Sequence, residues 1–296
     1  MSVIALRHFS GRFRRFATIA ACLTALAVAP QPMLAAPLDA RVIQSGHSLT
    51  DPIPDILENL IVAAGGQRIE VARSTIPGSP MEWRWEHRVG YGQPEARYDI
   101  ADYDVLVITE RVGLATTMPY HKTLDEAVKW TKHAWTLGNG GKGAETILYA
   151  SWIGLDTGPG TPIAEGDPDN QMPWRDRLLK EYADWKTIQN HVNQNLPAGA
   201  PKMRMIPGPL MMVQIYDDIQ AGKVPGVDRI DDLFEDNIHT SDLGSYAISL
   251  LHFAVIYERD PRDLPRIKDA PRNAKLDTYL RNLAWTVATS TPETGL

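Results

Sequence analysis

The chain has 296 residues, 44% of them hydrophobic and 22% charged, with 30 basic and 36 acidic side chains for a formal charge of −6. This is the composition of an ordinary globular protein long enough to bury a sizeable core. The acidic balance argues against nucleic acid or an anionic membrane surface as partner, since both reward basic patches.

At the start of the chain Arg7, Arg12, Arg14 and Arg15 precede residues 16–30, an apolar run without charge. The run is shorter than the roughly 20 residues of a comfortable membrane span, and Met33-Leu34-Ala35-Ala36 offers small residues before Pro37. The pattern predicts a signal peptide over residues 1–36 and a periplasmic or secreted mature chain over residues 37–296. The alternatives are an uncleaved N-terminal anchor and a lipoprotein box at Ile19-Ala20-Ala21-Cys22, although the apolar stretch before Cys22 is short and continues past it. The residues flanking Arg14-Arg15 fit a twin-arginine signal poorly. Cleavage removes four arginines and no acid, moving the formal charge from −6 to −10, and takes away Cys22, the single cysteine. The mature chain then has no disulfide to lean on, and its stability must come from its core.

From residue 41 onward short β-branched runs alternate with stretches of helical period, the pattern of a parallel sheet covered by helices on both faces. The predicted strands are residues 42–45, 68–73, 104–109, 146–151 and 202–206. Helical spacing joins Ile53, Ile56, Leu57, Leu60, Ile61 and Ala64, then Leu124, Val128 and Trp135, and near the end Leu276, Leu280, Leu283, Ala284 and Val287. Residues 154–172, rich in Gly, Pro and Asp, predict a surface loop that borders the site. The run Gly138-Asn139-Gly140-Gly141-Lys142-Gly143 lacks the ending of a phosphate loop and reads as a helix C-cap and turn. No repeat or composition shift divides residues 37–296, so one domain is expected.

Strand one leads into Ser45-Gly46-His47-Ser48-Leu49-Thr50-Asp51, with Pro52 and Pro54 opening the first helix. A strand-to-helix turn sets Ser48 at the carboxyl edge of a parallel sheet, near the positive end of a helix, which favours an attacking hydroxyl and a developing oxyanion. Far downstream, Asp236-Asn237-Ile238-His239 stands ahead of an apolar helix beginning near Ser241. An acid three residues before a histidine at such a junction can hold Nδ1 and leave Nε2 for a serine. The plain structural alternatives are helix capping by Ser48, Thr50 and Asp51 and a turn role for Asp236. His87, His121, His133, His191 and His252 show no metal-ligand spacing, and neither a metal nor a cofactor is predicted.

Gly46-His47-Ser48-Leu49 resembles the Gly-Asp-Ser-Leu block of the SGNH (GDSL-like) hydrolases, and Asp236-x-x-His239 resembles their last block, in the family's order. The resemblance implies a flavodoxin-like three-layer α/β/α sandwich with a five-stranded parallel sheet. It also implies a serine esterase in which Ser48 is the nucleophile, His239 the base and Asp236 its orienting acid. The family's oxyanion donors then fall on the backbone N–H of Ser48 and on Gly78, which follows the second strand in a Pro-Gly turn. Two departures stand out. His47 replaces an aspartate that shapes the nucleophile loop, and Thr109-Glu110-Arg111 occupies the place where the family carries an oxyanion-binding asparagine. Glu110 is counted among the residues facing substrate, but an ionised carboxylate cannot donate a hydrogen bond unless burial raises its pKa.

Trp83 and Trp85, on the loop after the second strand, and Trp152, after the fourth, are expected at the same sheet edge, where aromatic faces suit sugar rings or an apolar acyl group. They tilt the expected small-molecule substrate toward an O-acetylated carbohydrate. The other readings are a periplasmic polysaccharide O-acyltransferase with the same chemistry, and a catalytically silent carbohydrate-binding or envelope protein on the same fold.

Overall fold

In the computed structural model of the chain, which describes Met1 and residues 36–90, 92–162 and 166–296, five short strands form one sheet. They are β1 (Val42–Gly46), β2 (Ala72–Thr75), β3 (Val105–Ile108), β4 (Glu145–Ala150) and β5 (Arg204–Pro207). Every pairing is parallel and the order is β2-β1-β3-β4-β5. Nearly all strand residues are buried, as strands between two helical layers must be. The predicted leader, residues 1–36, lies outside the described residues but for its first and last positions.

Among the described residues eight α-helices accompany the sheet: α1 (Ile53–Ala63), α2 (Met81–Glu86), α3 (Leu114–Tyr120), α4 (Thr123–Gly141), α5 (Trp174–Gln194), α6 (Gly208–Gln220), α7 (Asp242–Tyr257) and α8 (Ala274–Ser290). Strand side chains alternate between the faces. Val42, Val107, Tyr149 and Ile206 meet α1, α6, α7 and α8 in one core, while Ile43, Leu106, Leu148 and Met205 meet α4 and α5 in the other. The result is the expected three-layer α/β/α sandwich in flavodoxin-like strand order. Helix α7 is buried all round from Gly244 to Tyr257 and packs between α1 and α8. Its sequence, Tyr246-Ala247-Ile248-Ser249-Leu250-Leu251, is apolar on every face for that reason.

Three expectations need correction. The second strand begins at Ala72 and not at Arg68, because Arg68 reaches Glu58 and Asn59 on α1 and the Val71 N–H is taken by Glu58. Pairing with β1 therefore starts at Ile43 opposite Ala72. Residues 81–86 form a helix where a loop was predicted. Finally, α5 and α6 carry apolar periods that the strand-and-loop reading passed over: Trp174, Leu178, Tyr182, Trp185, Ile188 and Val192 in one, and Met211, Met212, Ile215 and Ile219 in the other. The glycine-rich run ends α4 as a turn, with Gly138, Asn139 and Gly140 leaving helical geometry.

The strand order reverses between β1 and β3, and doubly wound sheets open a crevice at the carboxyl ends of the strands at that point. Ser48 follows β1 and Arg111 follows β3, so the topology alone brings both to this crevice.

Two fully buried histidines make the fold sensitive to acid. Burial holds the His252 ring near a pKa of about 4 and, with the Arg84 charge, the His47 ring near about 3. The unfolded chain takes up these protons from about pH 6.5 downward, so each ring costs about 1.4 kcal/mol of stability per pH unit between 6.5 and its folded value. Urea unfolding across that interval is expected to show the loss. In His252→Phe the slope should be smaller by one proton's worth, and an unchanged slope would mean that His252 does not remain neutral.

Candidate active site

The Ser48 turn is built by backbone and by one histidine. After β1 the chain folds back on itself with Thr50 N–H donating to His47 O at 2.8 Å and Asp51 N–H to Ser48 O at 3.3 Å. Gly46 is required because a Cβ there would lie 2.1 Å from Thr50 Oγ1. The buried His47 ring places Nε2 3.0 Å from Glu110 O, which can only accept, so Nε2 carries the hydrogen. Nδ1 then accepts from Leu49 N–H at 3.4 Å. His47 thus braces the turn that holds Ser48. Asp51 Oδ1 accepts from Thr75 Oγ1 at 2.6 Å, tying the turn to the end of β2. No side chain caps α1, so Ser48, Thr50 and Asp51 are not spent on capping.

The partner loop assembles locally. Asp236 Oδ1 accepts from the N–H groups of Ile238 and His239 at 2.8 and 2.7 Å, and its Oδ2 lies 2.7 Å from His239 Nδ1. These bonds, the His239 N–H first, hold the Asp236 carboxylate down at about 2 although it stands open to solvent. Antiparallel pairing of Phe234 with Thr240 closes the loop. Gly244 lets α7 approach it, since a Cβ there would meet Leu233 O at 2.3 Å. Trp152 Nε1–H donates to Ile238 O at 2.8 Å and Leu155 N–H to Asn237 O at 2.6 Å, fastening the loop to the segment after β4. The outcome is His239 Nε2 at 2.9 Å from Ser48 Oγ, across 191 residues of sequence.

Beside this line lies a cavity of about 310 Å³ bordered by His47, Ser48, Leu49, Gly78, Arg111, Val112, Ile238 and His239. Gly78, with φ of +64°, turns the chain into it. Among the described residues no protein acceptor takes the N–H of Ser48 or of Gly78. Both residues border the same cavity with these N–H groups unspent on protein acceptors. No group of three or more His, Cys, Asp or Glu among the described residues is arranged to hold a metal ion.

Under the cavity sits a cation that sequence reasoning missed. Arg84 of α2 is 4% exposed. Its Nε donates to Ser45 Oγ at 3.1 Å, Nη1 to Ser79 O at 2.5 Å and to Ser79 Oγ at 3.2 Å, and Nη2 to Thr109 O. Burial pulls its pKa down to about 10 while the charge of Glu110 pushes it back up. Its signal in sequence is an arginine on the same helical face as Met81.

Glu110 does not face substrate. It is fully buried, and its carboxylate accepts from Met81 N–H at 3.0 Å, Arg111 N–H at 2.7 Å and Thr123 Oγ1 at 2.7 Å. Burial raises its pKa, opposed by Arg84 and these donors. The tryptophans are corrected as well. Trp152 is 1% exposed and belongs to the core. Trp85 lies under Arg97 and Lys129 at 4.6 and 4.5 Å and abuts Trp130 and His133. Trp83 is exposed but stacks on His87 at 3.5 Å and does not line the cavity. The apolar lining instead comes from Leu49 and Ile238, which lie within the two motifs, and from Val112, which no motif marked.

No protein-family model matches the sequence, and no curated protein matches it. Among solved structures the chain is similar to a DUF4886 family protein from Bacteroides uniformis, with a TM-score of 0.63 at 15% identity over 86% of this chain and 96% of that one. At that identity the likeness is one of fold. A candidate SGNH hydrolase from Slackia heliotrinireducens aligns at a TM-score of 0.43 and 18% identity, over 71% of this chain and 95% of that one.

Arg84→Met is expected to destabilise the protein by about 3–5 kcal/mol in denaturant unfolding, because Ser45, Ser79 and Thr109 lose their buried donor and the charge of Glu110 loses the cation that opposes its burial. Adding Glu110→Gln to that variant should restore part of the loss. A double variant no more stable than Arg84→Met would mean that the two charges do not compensate each other.

Proposed function

We propose that this protein is an exported serine esterase in which Ser48, His239 and Asp236 act in sequence on a carboxylic ester. The observation that carries the reading is the continuous hydrogen-bonded line from Asp236 Oδ2 through His239 to Ser48 Oγ, with steps of 2.7 and 2.9 Å. Residues so far apart in sequence have no local structural reason to meet in this way. The location of Ser48 at the switch point of a doubly wound sheet and the cavity beside it give further support. Export rests on the charge and hydropathy pattern of residues 1–36.

The chemistry follows from donor and acceptor capacities. Asp236 accepts from His239 Nδ1–H, which leaves Nε2 as the base. Ser48 Oγ attacks the ester carbonyl as Nε2 takes its proton, and the carbonyl electron pair moves onto oxygen beside the N–H groups of Ser48 and Gly78. Collapse breaks the C–O bond to the alcohol, which leaves with the proton from Nε2. Water, deprotonated in its turn by His239, then hydrolyses the acyl-enzyme and returns the hydrogen to Ser48. The neutral His47 ring braces the turn without competing as a base, since its pKa lies near 3.

The test is hydrolysis of 4-nitrophenyl acetate and longer esters by the purified protein. Ser48→Ala and His239→Ala are each expected to lose about a thousandfold or more in kcat/KM, and Asp236→Asn less. Folded variants that retain the wild-type rate would remove the esterase reading. Trp152→Phe, which deletes the donor to Ile238 O, should cost about 1 kcal/mol of stability and lower kcat by loosening the His239 loop. An unchanged kcat would show that the loop holds without this bond.

A further inference from the structure

Among the described residues, Arg111 is the one lining the Ser48 cavity that carries a fixed charge, and no acidic residue lines that cavity. Its side chain is exposed and enters no ion pair or side-chain hydrogen bond among the described residues. The surrounding carboxylates are already engaged. Glu110 turns inward to Met81, Arg111 N–H and Thr123, Asp51 holds Thr75, Asp167 pairs with Arg177 at 2.6 Å, and Asp236 holds His239. The backbone of Arg111 is anchored by its own N–H on Glu110 Oε1 at 2.7 Å, so the cation rises from a fixed point. Its charge reaches His47. Arg111 and Val112 also border a second cavity of about 330 Å³, lined further by Thr116, Thr117, Tyr120, His121, Gly166 and Asp167, so Arg111 stands at the junction of the two, and the one carboxylate on that second wall, Asp167, is the one paired with Arg177.

An unpaired guanidinium beside a nucleophile, in a chain with an acidic balance, is matched by a negative charge brought by the ligand. Resting on the esterase reading above, we infer that Arg111 selects esters bearing an anionic group, a carboxylate or its equivalent, close to the scissile bond. The anion lies at the junction of the cavities while the carbonyl meets Ser48. The charge belongs either to the acyl part or to the alcohol part, and paired substrates separate the two.

Mono(4-nitrophenyl) succinate against 4-nitrophenyl butyrate tests a charge on the acyl side. The 4-acetoxybenzoate anion against its methyl ester tests one on the alcohol side. The wild-type protein is expected to prefer the anionic member of one pair, and added salt should weaken the preference. Arg111→Gln should reduce that selectivity ratio by about tenfold or more, with Arg111→Lys intermediate. A wild-type protein without preference in either pair, or an Arg111→Gln variant in which anionic and neutral esters lose rate equally, would overturn the inference. Binding of 4-acetoxybenzoate to Ser48→Ala, measured by calorimetry with and without Arg111→Gln, is independent of turnover. If no ester is hydrolysed, the esterase reading fails while this titration still decides whether Arg111 holds an anion. Equal binding with and without Arg111 would count against it.

Discussion

The Arg84 guanidinium joins three segments that the sheet would otherwise leave loose at their carboxyl ends: Ser45 on β1, Ser79 in the turn after β2 and Thr109 after β3. Carbonyl groups just past the end of a parallel strand have no ladder partner, and buried ones need a donor. One side chain with five N–H groups in a fixed fork satisfies several at once. The cost is a charge taken out of water, which Glu110 offsets from the far side while also holding the start of α2 and α4. The Ser48 turn, the Gly78 turn and the segment leading to Arg111 are therefore all referred to one buried point.

Asp236 and His239 follow a different logic. Their hydrogen bonds lie within four residues and in the open, and the carboxylate stays ionised because backbone N–H groups point at it. Such a unit orients the imidazole by itself but has no means of placing it. Placement comes from Trp152 and Leu155, which fasten Asn237 and Ile238, and from the close seat of α7 against Leu233. A tryptophan with the composition of a sugar platform is here a structural strut, because its ring is buried and only its Nε1–H is directed at the loop.

Arginines on either side of Glu110 divide the work between interior and surface. Arg84 is enclosed and hydrogen-bonded through all three of its nitrogens, so its charge serves the scaffold. Arg111, whose backbone is held by the same carboxylate, turns to the cavity and keeps its charge for whatever enters. Nothing in residue type distinguishes the two. The difference is that α2 packs Arg84 beneath the crevice, whereas the loop after β3 leaves Arg111 at its rim.

The α/β class, the parallel sheet and the local Asp236–His239 unit are legible in the sequence, because they rest on period, on turn residues and on local spacing, whereas the meeting of Ser48 with His239 is an expectation of the family resemblance. A β-branched run enclosed by polar residues reads as a strand wherever it stands, and Asp-x-x-His forms its own turn. The start of β2, the inward turn of Glu110, the burial of Trp152, the occupied faces of Trp85 and the role of Arg84 belong to the tertiary structure alone. Each depends on which distant group arrives opposite: Glu58 for residues 68–71, Met81 and Thr123 for Glu110, Ile238 for Trp152. Burial and partnership decide whether a charged or aromatic side chain braces the protein or meets a ligand, and both are properties of packing between segments far apart in the chain.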